Sequence, residues 1–206
     1  MDFRSRYKEL LIGTEDADLK DIIEYLYEEL PYLWTREYKS NSNRATDICR
    51  ISIGAFEYIF DDSATLEANE ILGIADKVEP RLVAAFGQSV QLGKKRDDYR
   101  LRGWLGPTNS FLGEMWDKGH YIAHCIGGAV DHAELNVFRH RRDLNRGWSN
   151  EGRTFRKMED YCFNNPGTFC FHRPIYLDNS MFPTTLEYGV LTKEKQLWVE
   201  RFNNSV

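Results

Sequence analysis

The chain has 206 residues, which is enough to bury the core of one sizeable domain. Hydrophobic residues make up 42% and charged residues 29% of it, a balance that excludes disordered and fibrous proteins. The formal net charge of −5 is uneven: residues 1–80 carry −9, residues 81–160 carry +4, and residues 161–206 are neutral in sum. Because phosphate binding depends on a local basic surface, the negative total does not exclude nucleic-acid binding.

The sequence shows no sign of a membrane span or of a disulfide framework. No run of about 18 apolar residues occurs, and charges interrupt residues 1–20. We therefore expect a soluble protein made in the cytoplasm, without a membrane partner. The four cysteines are irregularly spaced, lie in apolar surroundings and form no CxxC pair, so we expect free, buried thiols at Cys49, Cys125, Cys162 and Cys170.

The first 80 residues are predicted to be mainly helical and acidic. Apolar residues recur at helical spacing between Asp18 and Leu30, with Asp16 or Asp18 as the N-cap and Pro31 beyond the end. A second helix is predicted over residues 63–78, before Pro80. We therefore treat residues 1–80 as a helical N-terminal region and residues 81–206 as a domain of its own. Three roles stay open for residues 1–80: docking of a partner, shielding of the basic region, and completion of the core.

Residues 81–206 mix predicted strands and helices. A strand from Val83 leads into the basic loop "KKRDDYR" at residues 94–100 and a glycine-rich segment. A helix is predicted to place Phe155, Met158 and Cys162 on one face and to end at "NNPG". The strand "GTFCFHRPIY" follows, and then a hairpin of "TLEYGVL" and "QLWVERF". The predicted fold class is α+β.

The segment "DKGHYIAHCIGG" at residues 117–128 concentrates chemically active side chains and supports two alternative hypotheses. His120 and His124 would share one face of a helix and could bind zinc, although the glycines weaken a helix assignment. Cys125 in "AHCIGG" would stand where the nucleophile of an α/β-hydrolase elbow stands, although Ala123 replaces the usual glycine.

A third interpretation rests on four boxes in the order Asp117–His120, Asn136–His140, Asp143–Gly147 and Arg156–Glu159. With these boxes, residues 83–201 resemble the DNA/RNA non-specific endonucleases that contain a ββα-metal finger. The resemblance is greatest to the toxin-domain members found in bacterial polymorphic toxins. It implies a ββα-metal finger nuclease core with an antiparallel sheet, preceded by the helical N-terminal part.

The resemblance also implies a role for each catalytic residue. His120 would be the general base that takes a proton from water, and Asn145 would be the direct ligand of Mg²⁺ or another divalent cation such as Mn²⁺. Glu159 would hold metal-bound waters, and Asp117 would orient the first box. Under this interpretation His124 and Cys125 pack in the scaffold.

Phosphate binding is assigned to Lys118, to Arg146 and, from the loop "KKRDDYR", to Arg96. Further arginines at 139, 141 and 142 would form a basic rim that follows the nucleic-acid backbone without reading bases. The sequence departs from the family pattern at Lys118, where the family has arginine, and this change loses the bidentate guanidinium. It departs again at Arg139 and His140, which replace a Pro-Gln pair.

The function implied is metal-dependent, sequence-non-specific hydrolysis of phosphodiester bonds in DNA or RNA. The resemblance further implies a bacterial toxin or effector, possible delivery to another cell, and a cognate inhibitor (immunity) protein as partner. The alternatives are a degenerate module of the same fold that binds nucleic acid or inhibitor without turnover, and a Cys125-dependent hydrolase.

Overall fold

The computed structural model describes residues 3–92 and 113–206. Among these residues no helix is both long and apolar enough to cross a bilayer. Eight strands are present: β1 (Ile48–Ile53), β2 (Phe56–Asp61), β3 (Arg81–Gln88), β4 (Trp116–His120), β5 (Val137–Arg141), β6 (Phe169–Ile175), β7 (Thr185–Leu191) and β8 (Leu197–Asn203). Six of them form an antiparallel sheet in the order β1-β2-β3-β6-β7-β8, and β4 pairs with β5 in a separate antiparallel ribbon.

The helices are α1 (Phe3–Leu10), α2 (Leu19–Asn41), α3 (Glu67–Ile71), α4 (Ala133–Asn136), α5 (Arg142–Asn145) and α6 (Asn150–Asn164). Helix α2 begins at the predicted cap, where the Asp18 side chain accepts a hydrogen bond from the backbone N–H of Asp21. The prediction that it ends before Pro31 is wrong, because α2 continues through Pro31 to Asn41. The side chains of Trp34 and Tyr38, in the last turns of α2, are buried in the core. This packing outweighs the destabilisation that a proline causes inside a helix.

The N-terminal region contains two strands that the sequence analysis did not predict. Strands β1 and β2 lie between α2 and α3, and β2 pairs with β3, so strands on both sides of residue 80 belong to one sheet. The single helix predicted over residues 63–78 is replaced by α3 between two short 3₁₀ turns. Gly73 at φ +69° ends α3 in a conformation that favours glycine.

The central sheet is covered on both faces, and the alternation of β6 shows how. Phe169 and Phe171 point to the face on which Trp34 of α2 packs, whereas Cys170 belongs to the core on the opposite face with Phe155 of α6. The molecule therefore has three layers: α1 and α2, the six-stranded sheet, and the β4-β5 ribbon with α6.

A buried carboxylate ties α1 to the sheet. Glu187 of β7 is fully buried and is bonded by Arg6 and Tyr7 of α1 and by Arg173 and Arg201 of the neighbouring strands. Burial raises the pKa of Glu187, but the charges of Arg173 and Arg6 outweigh burial and hold it below the usual value.

The α+β class and the C-terminal elements were predicted correctly. The strand "GTFCFHRPIY" corresponds to β6, the hairpin corresponds to β7 and β8, and the helix with Phe155, Met158 and Cys162 buried corresponds to α6. Ser149 caps α6 by accepting a hydrogen bond from the N–H of Gly152 at 3.0 Å. The order β4, β5, α6 along the chain gives the ββα arrangement that the four boxes implied.

Candidate active site

The β4-β5 ribbon forms one wall of the site, and its register explains a glycine in the first box. Asp117 lies opposite His140 and Gly119 lies opposite Phe138, on the face toward α6. A Cβ atom on Gly119 would lie 2.4 Å from Cβ of His140 and 2.5 Å from its Nδ1. Only glycine fits at residue 119 because the His140 ring packs directly over this backbone.

Asp117 joins the ribbon to the turn that precedes α6. Its carboxylate accepts hydrogen bonds from Arg146 Nε at 2.7 Å, from Arg142 Nε at 3.0 Å and from Asn145 Nδ2 at 3.2 Å. Arg142 also donates to the Trp116 carbonyl at 3.0 Å. Three side chains of one short segment, residues 142–146, are thus fixed by a single residue of β4.

The environment of Asp117 keeps it ionised. Burial of the carboxyl group raises its pKa, but the hydrogen bonds from Arg146, Asn145 and Arg142 together outweigh burial and hold the pKa below the usual aspartate value. An ionised Asp117 can accept from all three donors at once. Asp117 thus holds the side chains of Arg142, Asn145 and Arg146 in place by hydrogen bonds.

Asn145 and Glu159 are connected through Arg156. The guanidinium of Arg156 donates to the backbone carbonyl of Asn145 and, at 2.5 Å, to Oε2 of Glu159. Arg156 and Glu159 are three residues apart on α6, a spacing at which helical side chains meet. Arg156 belongs to the fourth box but had no predicted role, and its spacing of three residues from Glu159 was the signal in the sequence that could have revealed one.

Glu159 is a buried carboxylate, only 9% exposed. Burial raises its pKa, and the charge and hydrogen bond of Arg156 compensate in part. The ionised form of a carboxylate in this environment is stabilised by a nearby positive charge, which Arg156 supplies.

The donor set suits a cation that keeps most of its waters. Because Nδ2 of Asn145 donates to Asp117, the amide oxygen Oδ1 is directed away from that carboxylate. Within residues 3–92 and 113–206, no group of three or more His, Cys, Asp or Glu side chains is placed to hold a metal ion. Amide and carboxylate oxygens are the ligand types that Mg²⁺ takes, whereas structural zinc sites use mostly nitrogen and sulfur ligands.

Lys118 and His120 lie on β4 with the opposite orientation to Asp117. Alternation along the strand places both on the ribbon face that also carries Arg139, whose guanidinium stacks 4.4 Å from the Trp116 ring. Burial lowers the pKa of Lys118. His120 is the last residue of β4 and is partly buried. The structure thus brings Asp117, Asn145 and Arg146 into direct contact, and places Lys118 and His120 across the ribbon.

Of the predicted phosphate-binding residues, Arg146 is bonded to Asp117 through Nε and Nη2, with its side chain 45% exposed. Arg96 lies outside the described residues.

The two alternative interpretations of residues 117–128 lose their structural basis. His120 ends a strand and His124 begins a 3₁₀ turn, so they do not share a helix face as the zinc hypothesis required. Cys125 lies in the same single turn beside an antiparallel sheet, not at a strand-to-helix elbow. Partial burial and the nearby charge of Glu159 raise the pKa of the Cys125 thiol, which disfavours the nucleophilic thiolate. All four cysteines are free, but the prediction that they are buried is wrong for Cys125 and Cys49, which are exposed, and correct for Cys162 and Cys170.

Two buried histidines behind α6 were not predicted to have any role. The rings of His140 and His172 lie 5.1 Å and 5.5 Å from the ring of Phe155. Burial lowers the pKa of His140 to about 3 and that of His172 well below the usual value. Both are therefore neutral core residues at physiological pH.

The chain is similar to solved structures, whereas no family model and no curated protein matches the sequence. A solved structure described as the Sda1 nuclease with a bound zinc ion aligns with 83% of this chain and 81% of its own, at 15% identity and a TM-score of 0.39. At this level of similarity the match carries no argument about function.

Proposed function

We propose that the protein is a metal-dependent, sequence-non-specific nuclease that hydrolyses phosphodiester bonds in DNA or RNA. The observation that carries the proposal is the connection of all four boxes in one ββα unit. Asp117 of the ribbon holds Asn145, and Arg156 links Asn145 to Glu159 of α6. Residues far apart in sequence are thus joined in one hydrogen-bonded group, and this group supports the proposal.

Asn145 and Glu159 are the residues that would hold the cation, Asn145 directly and Glu159 through waters. A divalent cation, Mg²⁺ or Mn²⁺, supplies positive charge that neutralises the phosphate oxygens as the bond breaks. Asp117 fixes the Asn145 amide, so the ligand is oriented before the cation binds. Arg156 balances the negative charge of the Glu159 carboxylate when no metal cation is present.

His120 is the proposed general base, which takes the proton of the attacking water. Support comes from the residues that precede and follow His120 in the chain. Before it, Asp117 contacts Asn145. After it, Cys125 lies close enough to Glu159 for the glutamate charge to raise the pKa of the Cys125 thiol. His120 is the last residue of β4, and its side chain lies on the ribbon face opposite that of Asp117. Lys118 and Arg146 are proposed to bind phosphate oxygens.

The biological setting is also a proposal, supported by the four boxes alone. In that setting the chain is a bacterial toxin or effector module, and a cognate immunity protein inhibits it.

The experiment is incubation of the purified protein with supercoiled plasmid and with RNA, in Mg²⁺, in Mn²⁺ and in EDTA. We expect degradation only with metal. His120→Ala should lose cleavage by at least about 100-fold, the range for a general base, and Cys125→Ala should keep the wild-type rate. Absence of cleavage in every condition would overturn the proposal, and salt-sensitive binding without cleavage would favour the degenerate module.

A further inference from the structure

An exposed tryptophan stands beside the proposed site and plays no part in the chemistry described so far. Trp148 follows Asn145 by three residues and is 62% exposed. Single exposed apolar side chains are common on protein surfaces, so what distinguishes this indole is its place beside Arg146 and the Asn145 turn.

The backbone of Trp148 is held firmly although its side chain is open. Its N–H donates to the Asp143 carbonyl at 2.8 Å, and its own carbonyl accepts from Arg153 Nη1 at 3.2 Å. Gly147, at φ +71°, makes the turn that presents the indole. The ring is thus displayed from a fixed position at the start of α6.

Arg146 connects Trp148 to the proposed site. Its guanidinium lies 5.0 Å from the centre of the indole ring and is at the same time bonded to Asp117, which holds Asn145. One face of the indole is therefore against a cation, and the exposed fraction shows that most of the remaining surface is open. A substrate chain whose phosphate is near Asn145 would place a neighbouring nucleotide at this ring.

The space beside the ring has the size and lining for a base. A cavity of about 620 Å³ is lined by Trp148, Met115, Arg142, Asp143, Glu114 and Gly113. Met115 is 55% exposed and adds a flexible, polarisable thioether to the lining. Two acidic residues, Glu114 and Asp143, line the cavity, and their negative charge disfavours a phosphate there. The charge of Asp143 is in part balanced by its ion pair with Arg141. An uncharged aromatic base fits this lining better than a phosphate does.

From these contacts we infer that Trp148 is a stacking platform for an unpaired nucleobase of the substrate. This inference rests on the proposed nuclease function and adds a preference to it. Stacking needs an accessible base face, which a paired duplex hides, so single-stranded or unpaired segments bind better than intact duplex. The preference is for strandedness and not for sequence, because every base has a π-face.

Binding is measured in EDTA, so that cleavage plays no part, by fluorescence anisotropy of a labelled mixed-sequence DNA strand, alone and annealed to its complement. Trp148→Ala should weaken binding of the single strand on the order of 10-fold and change duplex binding less than about 2-fold. Trp148→Phe should retain most of the single-strand affinity. The matched control is Tyr32→Ala on α2, which removes an aromatic ring that is 65% exposed and also lies beside an arginine, Arg36.

Equal loss for single strand and duplex, or no loss for either, would overturn the inference. The result separates this inference from the proposed function. Trp148-dependent binding without cleavage in Mg²⁺ would support the platform and refute the nuclease, whereas cleavage with unchanged Trp148→Ala binding would do the reverse.

Discussion

At the scale of single residues, the candidate site depends on Asp117. One carboxylate orients Arg142, Asn145 and Arg146, and no other residue in the described ranges contacts all three side chains by hydrogen bonds. The sequence placed Asp117 in the first box, but it could not show which side chains of residues 142–146 turn toward it.

Asp117→Asn should therefore lower both stability and cleavage. We expect a loss of about 1.5–3 kcal/mol in the free energy of unfolding at neutral pH, the range for hydrogen bonds to a charged group. Because the folded pKa lies below the usual value, the difference from wild type should be full above the usual aspartate range. It should shrink as pH falls through the lowered pKa. Urea unfolding across pH measures it, and Asp76→Asn, at an exposed carboxylate, is the control.

The buried histidines make the free energy of unfolding depend on pH in a second range, above that of Asp117. His140 stays neutral in the folded state down to about pH 3, whereas in the unfolded chain it binds a proton near pH 6.5. Stability is thus fully present above pH 6.5 and falls below it, by about 1.4 kcal/mol per pH unit for each such histidine. His140→Phe should reduce that slope by about this amount between roughly pH 6 and pH 4. An unchanged slope in urea titrations would show that His140 protonates without cost.

At the scale of elements, the contact between the α5 turn and α6 determines the position of Glu159 relative to Asn145. A Cβ atom on Gly152 would lie 2.6 Å from the Asp143 carbonyl oxygen and 2.9 Å from Cα of Gly147. Both neighbours are backbone atoms that cannot move aside without shifting the turn. The start of α6 therefore tolerates no side chain at this residue.

Gly152→Ala should destabilise the protein by about 1–3 kcal/mol, because overpacking against backbone outweighs the gain of about 1 kcal/mol in helix propensity. The cleavage rate should fall by more than the loss of folded protein explains, because α6 must move away from Asn145. Thermal unfolding and plasmid cleavage are measured together, with Lys157→Ala on the exposed face of α6 as control. A variant as stable and active as wild type would refute the close contact.

Local patterns predicted some elements and failed for others for a physical reason. Helix α6 and the β7-β8 hairpin have strong periodicity and clear end signals, and they were predicted. Strands β1 and β2 are separated by two residues, and β1 has only a weak burial pattern. They are defined by the pairing of β2 with β3 and of β1 with β2. The same holds for the site. The four boxes could be recognised in the sequence, but the face on which Lys118 and His120 lie depends on the pairing of β4 with β5.

At the scale of the whole molecule, the N-terminal helices belong to the core of the sheet. Leu26, Leu30 and Trp34 of α2 are fully buried, and Trp34 packs on Phe86 and Phe171. The sequence left open whether residues 1–80 shield the basic region, dock a partner or complete the core. The packing favours completion of the core, because removal of α2 would expose one face of the sheet.

Trp34→Ala should lower the free energy of unfolding by about 3–5 kcal/mol, the range for a large aromatic residue in a core. Tyr32→Ala, at an exposed residue of the same helix, should change it by less than about 0.5 kcal/mol. Denaturant unfolding of both variants provides the comparison, and similar values would show that α2 is only loosely attached to the sheet.

The central claim is that a divalent cation held by Asn145 acts in phosphodiester cleavage. The most direct test is the rate of plasmid cleavage as Mg²⁺ is titrated, for wild type and for Asn145→Ala. We predict saturable, EDTA-reversible cleavage by wild type and a loss of at least about 100-fold in the variant, the lower end of what loss of transition-state charge stabilisation costs. Cleavage that persists in EDTA, or a variant with the wild-type rate and Mg²⁺ dependence, would contradict the claim.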